Sequence, residues 1–269
     1  MHIRERQGLN MIKTWTSETP LAALVIIHGA GEHHGRYEWL IERLNNQGFH
    51  VISGDLPGHG RTRGKRGHID SFDQYIDTVY AWYKEAAAFD VPVFIFGHSM
   101  GGLITIRALM EKYMPVQGVI LSSPCLGLYE YPSKAAELAG KMMHRLAPSL
   151  RAKTGLRAEA VTRDEEARSL YEQDELIVSK VTVRWYQEMA KAMKISHLQS
   201  DRYPDIPTLV MQAGEDYVVD SFSTHRWFNR LEISDRALKE WKGLYHELLN
   251  EPEREEVFQF MMHFISQRW

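Results

Sequence analysis

Residues 91–102 read V-P-V-F-I-F-G-H-S-M-G-G, and no other stretch constrains the fold as tightly. The opening apolar run suits a buried strand, and the L-I-T-I-R-A-L at 103–109 suits a helix. Between them, Gly97, His98, Ser99, Met100 and Gly101 fit G-x-S-x-G. A serine on so sharp a strand-to-helix turn is held in a strained conformation, its hydroxyl exposed at the carboxyl edge of the sheet. Glycines on either side let the chain reverse tightly and the helix approach the strand. By composition alone G-x-S-x-G would turn up in roughly one chain in ten of this length. It is therefore the strand–turn–helix setting that marks Ser99 as a nucleophile.

The remaining chain supplies a sheet for that strand. Residues 21–28 (L-A-A-L-V-I-I-H), 49–53 and 116–123 are further apolar runs, and strand character returns at 207–212 and 237–241. Helical patterns separate them: 39–47, ended by Gly48, and 72–89, with Tyr75, Val79, Trp82 and Ala86 on one face. Strands that alternate with helices and are apolar throughout predict an α/β fold, a mainly parallel central sheet flanked by helices. The rhythm breaks at 125–195, where helical patterns occur without a convincing strand. There Leu138, Met142 and Leu146 recur every fourth residue, as do Trp185, Met189 and Met193. The expected organisation is a core of 1–124 and 196–269 carrying a helical cap insertion at 125–195.

A serine hydroxyl at neutral pH needs a base, and the base needs an orienting acid. In the hydrolase arrangement the chain order is serine, acid, histidine. The loop after the late strand, G-E-D-Y-V-V-D at 214–220, offers Asp216 as the acid, with Asp220 second in line. Of thirteen histidines, position selects His246, in the loop between the last strand and the last helix. His225 and His263 fall on helical patterns, and His98, the variable residue of the elbow, packs beside the turn. The oxyanion of acyl transfer needs two backbone donors. Met100, after the nucleophile, is one, and Ala30, in the glycine-rich loop H-G-A-G-E-H-H-G-R-Y at 28–37, is the other.

Composition closes off other classes. The chain has 269 residues, 44% hydrophobic and 25% charged, with a formal net charge of -3, which disfavours nucleic acid as a partner. His28, His33 and His34 invite a metal reading, but no H-E-x-x-H spacing or cysteine pair accompanies them, so no metal and no cofactor is expected. Cys125 is the one cysteine, reads as a strand end rather than a catalytic thiol, and fits a reducing cytoplasm. The N-terminus shows no apolar signal region, and the ten residues before Met11 read as an extension. No run is long and apolar enough to span a bilayer.

The motifs at 28–37, 55–62 (D-L-P-G-H-G-R-T), 66–72 (R-G-H-I-D-S-F), 97–102, 214–220 and 245–251 (Y-H-E-L-L-N-E) together resemble the monoacylglycerol lipase and lysophospholipase group of the α/β-hydrolase superfamily. S-S-P-C-L-G-L and V-R-W-Y-Q-E also resemble a bacillus-type phospholipase branch. The resemblance implies the α/β-hydrolase fold, a triad on Ser99, Asp216 and His246, and oxyanion amides at Ala30 and Met100. It implies hydrolysis of a single-chain lipid ester through an acyl-serine. The alternatives are a phospholipase, a generic carboxylesterase or thioesterase, a transacylase, a small-peptide iminopeptidase-type amidase, or a non-catalytic binder. An acyl chain needs an apolar tunnel above the serine, for which Leu138, Met142, Met143, Leu146, Trp185, Met189 and Met193 are the cap candidates. The basic runs R-T-R-G-K-R and K-M-M-H-R could meet anionic headgroups at a membrane surface.

Overall fold

The computed structural model describes residues 2–6 and 11–269. Residues 1 and 7–10 of the expected N-terminal extension lie outside the described residues. In chain order the first half runs β1 (His2–Arg6), β2 (Met11–Thr16), β3 (Ala22–Ile27), α1 (Glu38–Asn46), β4 (Phe49–Asp55), α2 (Asp73–Ala87), β5 (Val93–His98), α3 (Met100–Glu111) and β6 (Gly118–Ser122). An excursion follows: α4 (Lys134–Leu146), β7 (Arg151–Lys153), α5 (Ala158–Val161), α6 (Glu165–Gln173), β8 (Lys180–Thr182) and α7 (Val183–Leu198). The chain then returns through β9 (Thr208–Ala213), α8 (Ser221–Phe228), β10 (Arg236–Trp241) and α9 (Arg254–Ser266).

Among the described residues the main sheet has the order β1-β2-β4-β3-β5-β6-β9-β10. Only the β1–β2 and β2–β4 pairings are antiparallel. Side chains alternate across a strand, so each inner strand feeds two cores. Ala23, Val25 and Ile27 join one core with α2 and α3, while Ala22, Leu24 and Ile26 join the other with α1 and α9. Both faces are covered, which is why these strands read as unbroken apolar runs. Each fully buried Leu, Ile or Phe contributes about 1.5–3 kcal/mol. From β3 the chain crosses to β4 on one side and to β5 on the other. Such a switch point opens a crevice at the carboxyl ends of β3 and β5, where α/β sheets bind ligands.

Two features depart from the expectation. Residues 2–6 form an antiparallel edge strand, paired with β2 in register His2 to Thr16. The excursion also contains strands, since β7 and β8 pair antiparallel. Three-residue strands such as R-A-K and K-V-T are too short for an alternation to show. The helix α7 runs through position 195, the expected end of the cap, and its Trp185, Met189 and Met193 belong to the core cluster that holds α2 and α3.

Candidate active site

The elbow follows from local sterics. Ser99 stands between β5 and α3 with φ 52 and ψ -118, a positive φ that a non-glycine residue holds only where its surroundings fix it. Its N–H donates to the Ser122 carbonyl (2.9 Å), and its own carbonyl accepts from Cys125 (2.9 Å) and Leu103 (3.2 Å). A Cβ on Gly101 would collide with the Ile27 carbonyl oxygen, and one on Gly97 with the Gly101 carbonyl. No other residue fits either place. Met100 opens α3, so its N–H belongs to the first turn, which has no acceptor within the helix.

The structure brings Ser99, His246 and Asp216 together from three loops. His246 Nε2 lies 2.9 Å from Ser99 Oγ, and His246 Nδ1 lies 2.9 Å from Asp216 Oδ2. An ionised carboxylate only accepts, so Nδ1 carries the proton and Nε2 faces the serine hydroxyl with its lone pair. Asp216 Oδ1 accepts from the N–H groups of Val218 and Val219, both at 2.9 Å, and Oδ2 also accepts from Gln212 Nε2 at 3.1 Å. Glu215 N–H donates to the Leu244 carbonyl (3.0 Å), tying the acid loop to the base loop. Burial pulls the His246 pKa down, but the Asp216 charge and hydrogen bond outweigh it and hold it above its ordinary value. Asp220 is elsewhere occupied. It caps α8, accepting from Phe222 N (3.1 Å), Ser223 N (3.2 Å) and Ser223 Oγ (2.6 Å).

The loop after β3 carries Ala30 to the cavity beside Ser99. His28 fastens that loop: Nδ1 donates to the Gly29 carbonyl (2.8 Å), and Nε2 accepts from Leu56 N (2.9 Å). Burial and the neighbouring His59 lower its pKa to about 3, so it stays neutral. The Gly31 carbonyl accepts from Val178 N (2.8 Å), which binds the loop to the excursion. Behind the loop lies an ion network that the sequence did not announce. Glu32 Oε1 accepts from Gly29 N (2.8 Å), while Arg36 lies 3.5 Å from Glu32 Oε2 and donates to Glu247 Oε2 (2.6 Å). Burial and then Glu247 push the Glu32 pKa up to about 7. Glu32 and Arg36 sit at i and i+4 in a glycine-rich loop, and Glu247 follows the base. That adjacency was the only signal available.

Over Ser99 opens a cavity of about 540 Å³, predominantly apolar. Trp185, Met189 and Met193 line it, as do Cys125, Leu156, Val181 and Tyr186. Four of the expected cap residues lie elsewhere. Leu138, Met142 and Leu146 are 71%, 57% and 74% exposed on the outside of α4, and the half-buried Met143 does not line the cavity either. Their place is taken by Ala136, Glu137 and Gly140, the opposite side of the same helix, which lies on α7 so closely that a Cβ on Gly140 would touch Gln187.

The other histidines singled out by the sequence, and the cysteine, are engaged elsewhere. His33 Nε2 bonds Asp174 (2.7 Å) and its Nδ1 accepts from Gly35 N (3.1 Å), while His34 Nδ1 bonds Asp55 (2.6 Å). His33, His34 and Asp55 are the group whose ligand atoms come within 4.8 Å of one another, yet these bonds already engage most of them. His98 packs 4.8 Å from the His246 ring and is held neutral by burial and by His246. His225 on α8 pairs with Glu240 on β10, and His263 lies on α9. Burial, with Asp216 nearby, pushes the Cys125 thiol up to about 12, so it is an inert lining residue.

A sheet of this order, with an elbow serine at its switch point, an acid after a late strand and a histidine after the last, defines an α/β-hydrolase. The chain belongs to the Hydrolase_4 family, described as serine aminopeptidase, S33, which it matches over residues 18–253. It is an enzyme of the hydrolase class. It is 48% identical to "Phospholipase YtpA" of Bacillus subtilis (strain 168), covering 94% of this chain and 98% of that protein. It is 32% identical to the monoglyceride lipase of Rattus norvegicus, covering 93% of this chain and 82% of that one. Among solved structures, the monoacylglycerol lipase of Paleococcus ferrophilus superposes with a TM-score of 0.85 at 30% identity, over 99% of each chain.

Proposed function

We propose that this chain hydrolyses single-acyl-chain lipid esters, monoacylglycerol or lysophospholipid, through an acyl-serine intermediate. The observation that carries the reading is the Ser99–His246–Asp216 hydrogen-bonded series, whose Ser99 and His246 line an apolar cavity of about 540 Å³, within the range of small-molecule sites. His246 takes the Ser99 proton as Oγ attacks the ester carbonyl. The oxyanion is held by the N–H groups of Ala30 and Met100, and His246 passes the proton to the leaving alcohol. Water, deprotonated by His246, then releases the fatty acid from Ser99 and regenerates the hydroxyl. Asp216 orients the imidazole and balances the imidazolium. The phospholipase and monoglyceride lipase relatives support the choice of lipid esters.

The test is turnover of a panel of monoacylglycerols, lysophospholipids, diacyl phospholipids and p-nitrophenyl butyrate, with Ser99→Ala in parallel. Rapid hydrolysis of one single-chain class, lost in the variant, is expected. Activity that survives Ser99→Ala refutes the mechanism, and cleavage of the short ester alone reduces the reading to a generic esterase.

A second reading, an amidase acting on substrates with a free amine, draws on the buried pair Glu32 and Glu247, which also line the cavity. A single guanidinium, Arg36, serves both carboxyl groups, and above about pH 7, where Glu32 ionises, the pair carries a surplus negative charge. Hydrolysis of aminoacyl p-nitroanilides faster than of p-nitrophenyl butyrate would favour it.

The chain works, in this reading, on the cytoplasmic side of a membrane. Among the described residues no helix is long and apolar enough to cross one. Instead α4, with no buried residue, exposes Leu138, Met142 and Leu146 beside Lys134, Lys141 and Arg145. Apolar residues flanked by lysine and arginine suit an anionic lipid surface. Co-sedimentation with phosphatidylglycerol-containing vesicles, absent with phosphatidylcholine alone and lost in Met142→Asp, is the expected result. Equal binding of the variant refutes this contact.

A further inference from the structure

We propose that Gln212 is a positioning residue for the acid–base pair, holding the Asp216 carboxylate in the rotation that presents Oδ2 to His246. The proposal rests on the Ser99–His246–Asp216 reading above. Gln212 is a fully buried polar side chain on β9, four residues before Asp216. Its Nε2 donates to Asp216 Oδ2 (3.1 Å) and to the Ala213 carbonyl (3.2 Å), so both amide protons are used. Its Oε1 is buried without a hydrogen-bond partner. A buried acceptor left unpaired is costly, and a methionine of similar shape would avoid that cost. What methionine lacks is the N–H. Turning the amide over would set Oε1 against the carboxylate, acceptor against acceptor, so only the observed orientation is tolerated.

The two carboxylate oxygens are held from different sides. Oδ1 is held by Val218 and Val219, which belong to the same loop as Asp216 and move with it. Gln212 reaches Oδ2 from the sheet, and so ties the acid to the frame that also carries the elbow. Its donation also draws charge from the oxygen that faces His246. The groups around His246 are Asp216 at Nδ1, Ser99 at Nε2, the His98 ring, and the Glu32 and Glu247 carboxylates with Arg36 between them, while Cys125 lies near Asp216. Among the partners of Oδ2, Gln212 is the one that does not titrate.

Two variants and the pH dependence of kcat/KM on p-nitrophenyl butyrate test this. In Gln212→Met the carboxylate keeps more of its charge and holds the imidazolium more strongly. The acid limb should move up by about half a pH unit and the plateau should fall about tenfold. Gln212→Glu preserves the shape, so it keeps the test open should the methionine variant misfold. Two adjacent carboxyls share one proton, and that proton donates to Asp216 as the amide did. Its profile should be bell-shaped, with a new alkaline limb where the shared proton leaves. A residue that only fills space would leave both the plateau and the acid limb of Gln212→Met unchanged, and would give Gln212→Glu no alkaline limb. Either result overturns the proposal. Ser99→Ala separates the two levels. Activity surviving there sinks the serine mechanism, whereas an inactive Ser99→Ala with unmoved limbs in the Gln212 variants sinks the positioning role alone.

Discussion

Asp216 and Asp220 stand in one loop, and exchanging each in turn separates an orienting acid from a helix cap. In Asp216→Asn the amide oxygen can still accept from Val218 and Val219, which leaves Nδ2 facing both the His246 Nδ1–H and Gln212 Nε2. Donors then oppose donors. The conflict is relieved when His246 moves its proton to Nε2, the nitrogen that must accept from Ser99. A base locked in the wrong tautomer costs about 10⁴ in kcat, or about 5.4 kcal/mol of transition-state stabilisation. Asp220→Ala removes the acceptor for two N–H groups at the start of α8. An N-cap is worth about 1 kcal/mol, which lowers Tm by about 2–4 °C in a chain of this size. The assay pairs p-nitrophenyl butyrate turnover with thermal melting. Asp216→Asn should lose four decades of kcat while remaining folded, and Asp220→Ala should lose a few degrees of Tm with kcat intact. If Asp216→Asn stays within tenfold of the parent while Asp220→Ala collapses in rate, the acid is Asp220 and the reasoning fails.

Three further outcomes follow from the same geometry. Because Asp216 holds His246 above its ordinary 6.5, the acid limb of kcat/KM should lie above pH 6.5, and a limb below pH 6 would contradict the assignment. By the same sign, this histidine contributes folding stability below its unfolded pKa, and the contribution fades as pH rises through the folded value. Met189→Trp should fill the cavity, cutting hydrolysis of a long-chain monoacylglycerol at least about tenfold relative to p-nitrophenyl butyrate. Equal losses on both substrates would place the acyl chain elsewhere. Gly101→Ala drives a Cβ into the Ile27 carbonyl, a backbone atom that cannot step aside, and should destabilise the fold by about 3 kcal/mol or more, read as a fall in Tm.

What the sequence expressed, it expressed through period and order. The inner strands were legible because burial on both faces makes them solid apolar runs, and the elbow because only glycine fits on either side of Ser99. Asp216 and His246 could be singled out because loops after successive strands of a parallel sheet emerge at the same edge. The edge strand β1 and the pair β7–β8 were hidden, being short and rich in charge, and β7 meets β8 across about thirty positions of chain. The ion network was hidden because its members are distant in the chain, Arg36 and Glu247 meeting across 211 positions. Gln212 did leave a trace, a lone amide ending the apolar run T-L-V-M of β9. Its meaning emerges only when Asp216 is seen folding back onto it.

The helix α4 shows where periodicity stops carrying information. Leu138, Met142 and Leu146 do share a face, as their spacing required, but a period fixes only which residues lie together. The direction of that face is decided by packing. On α4 the side toward α7 carries Ala136, Glu137 and Gly140, and a Cβ on Gly140 would come within 3.3 Å of Gln187 Nε2. The large apolar residues lie on the outward side, where Leu138, Met142 and Leu146 are 71%, 57% and 74% exposed. The two sides of α4 thus differ in place: Ala136, Glu137 and Gly140 line the cavity over Ser99, while Leu138, Met142 and Leu146 lie on the outer surface.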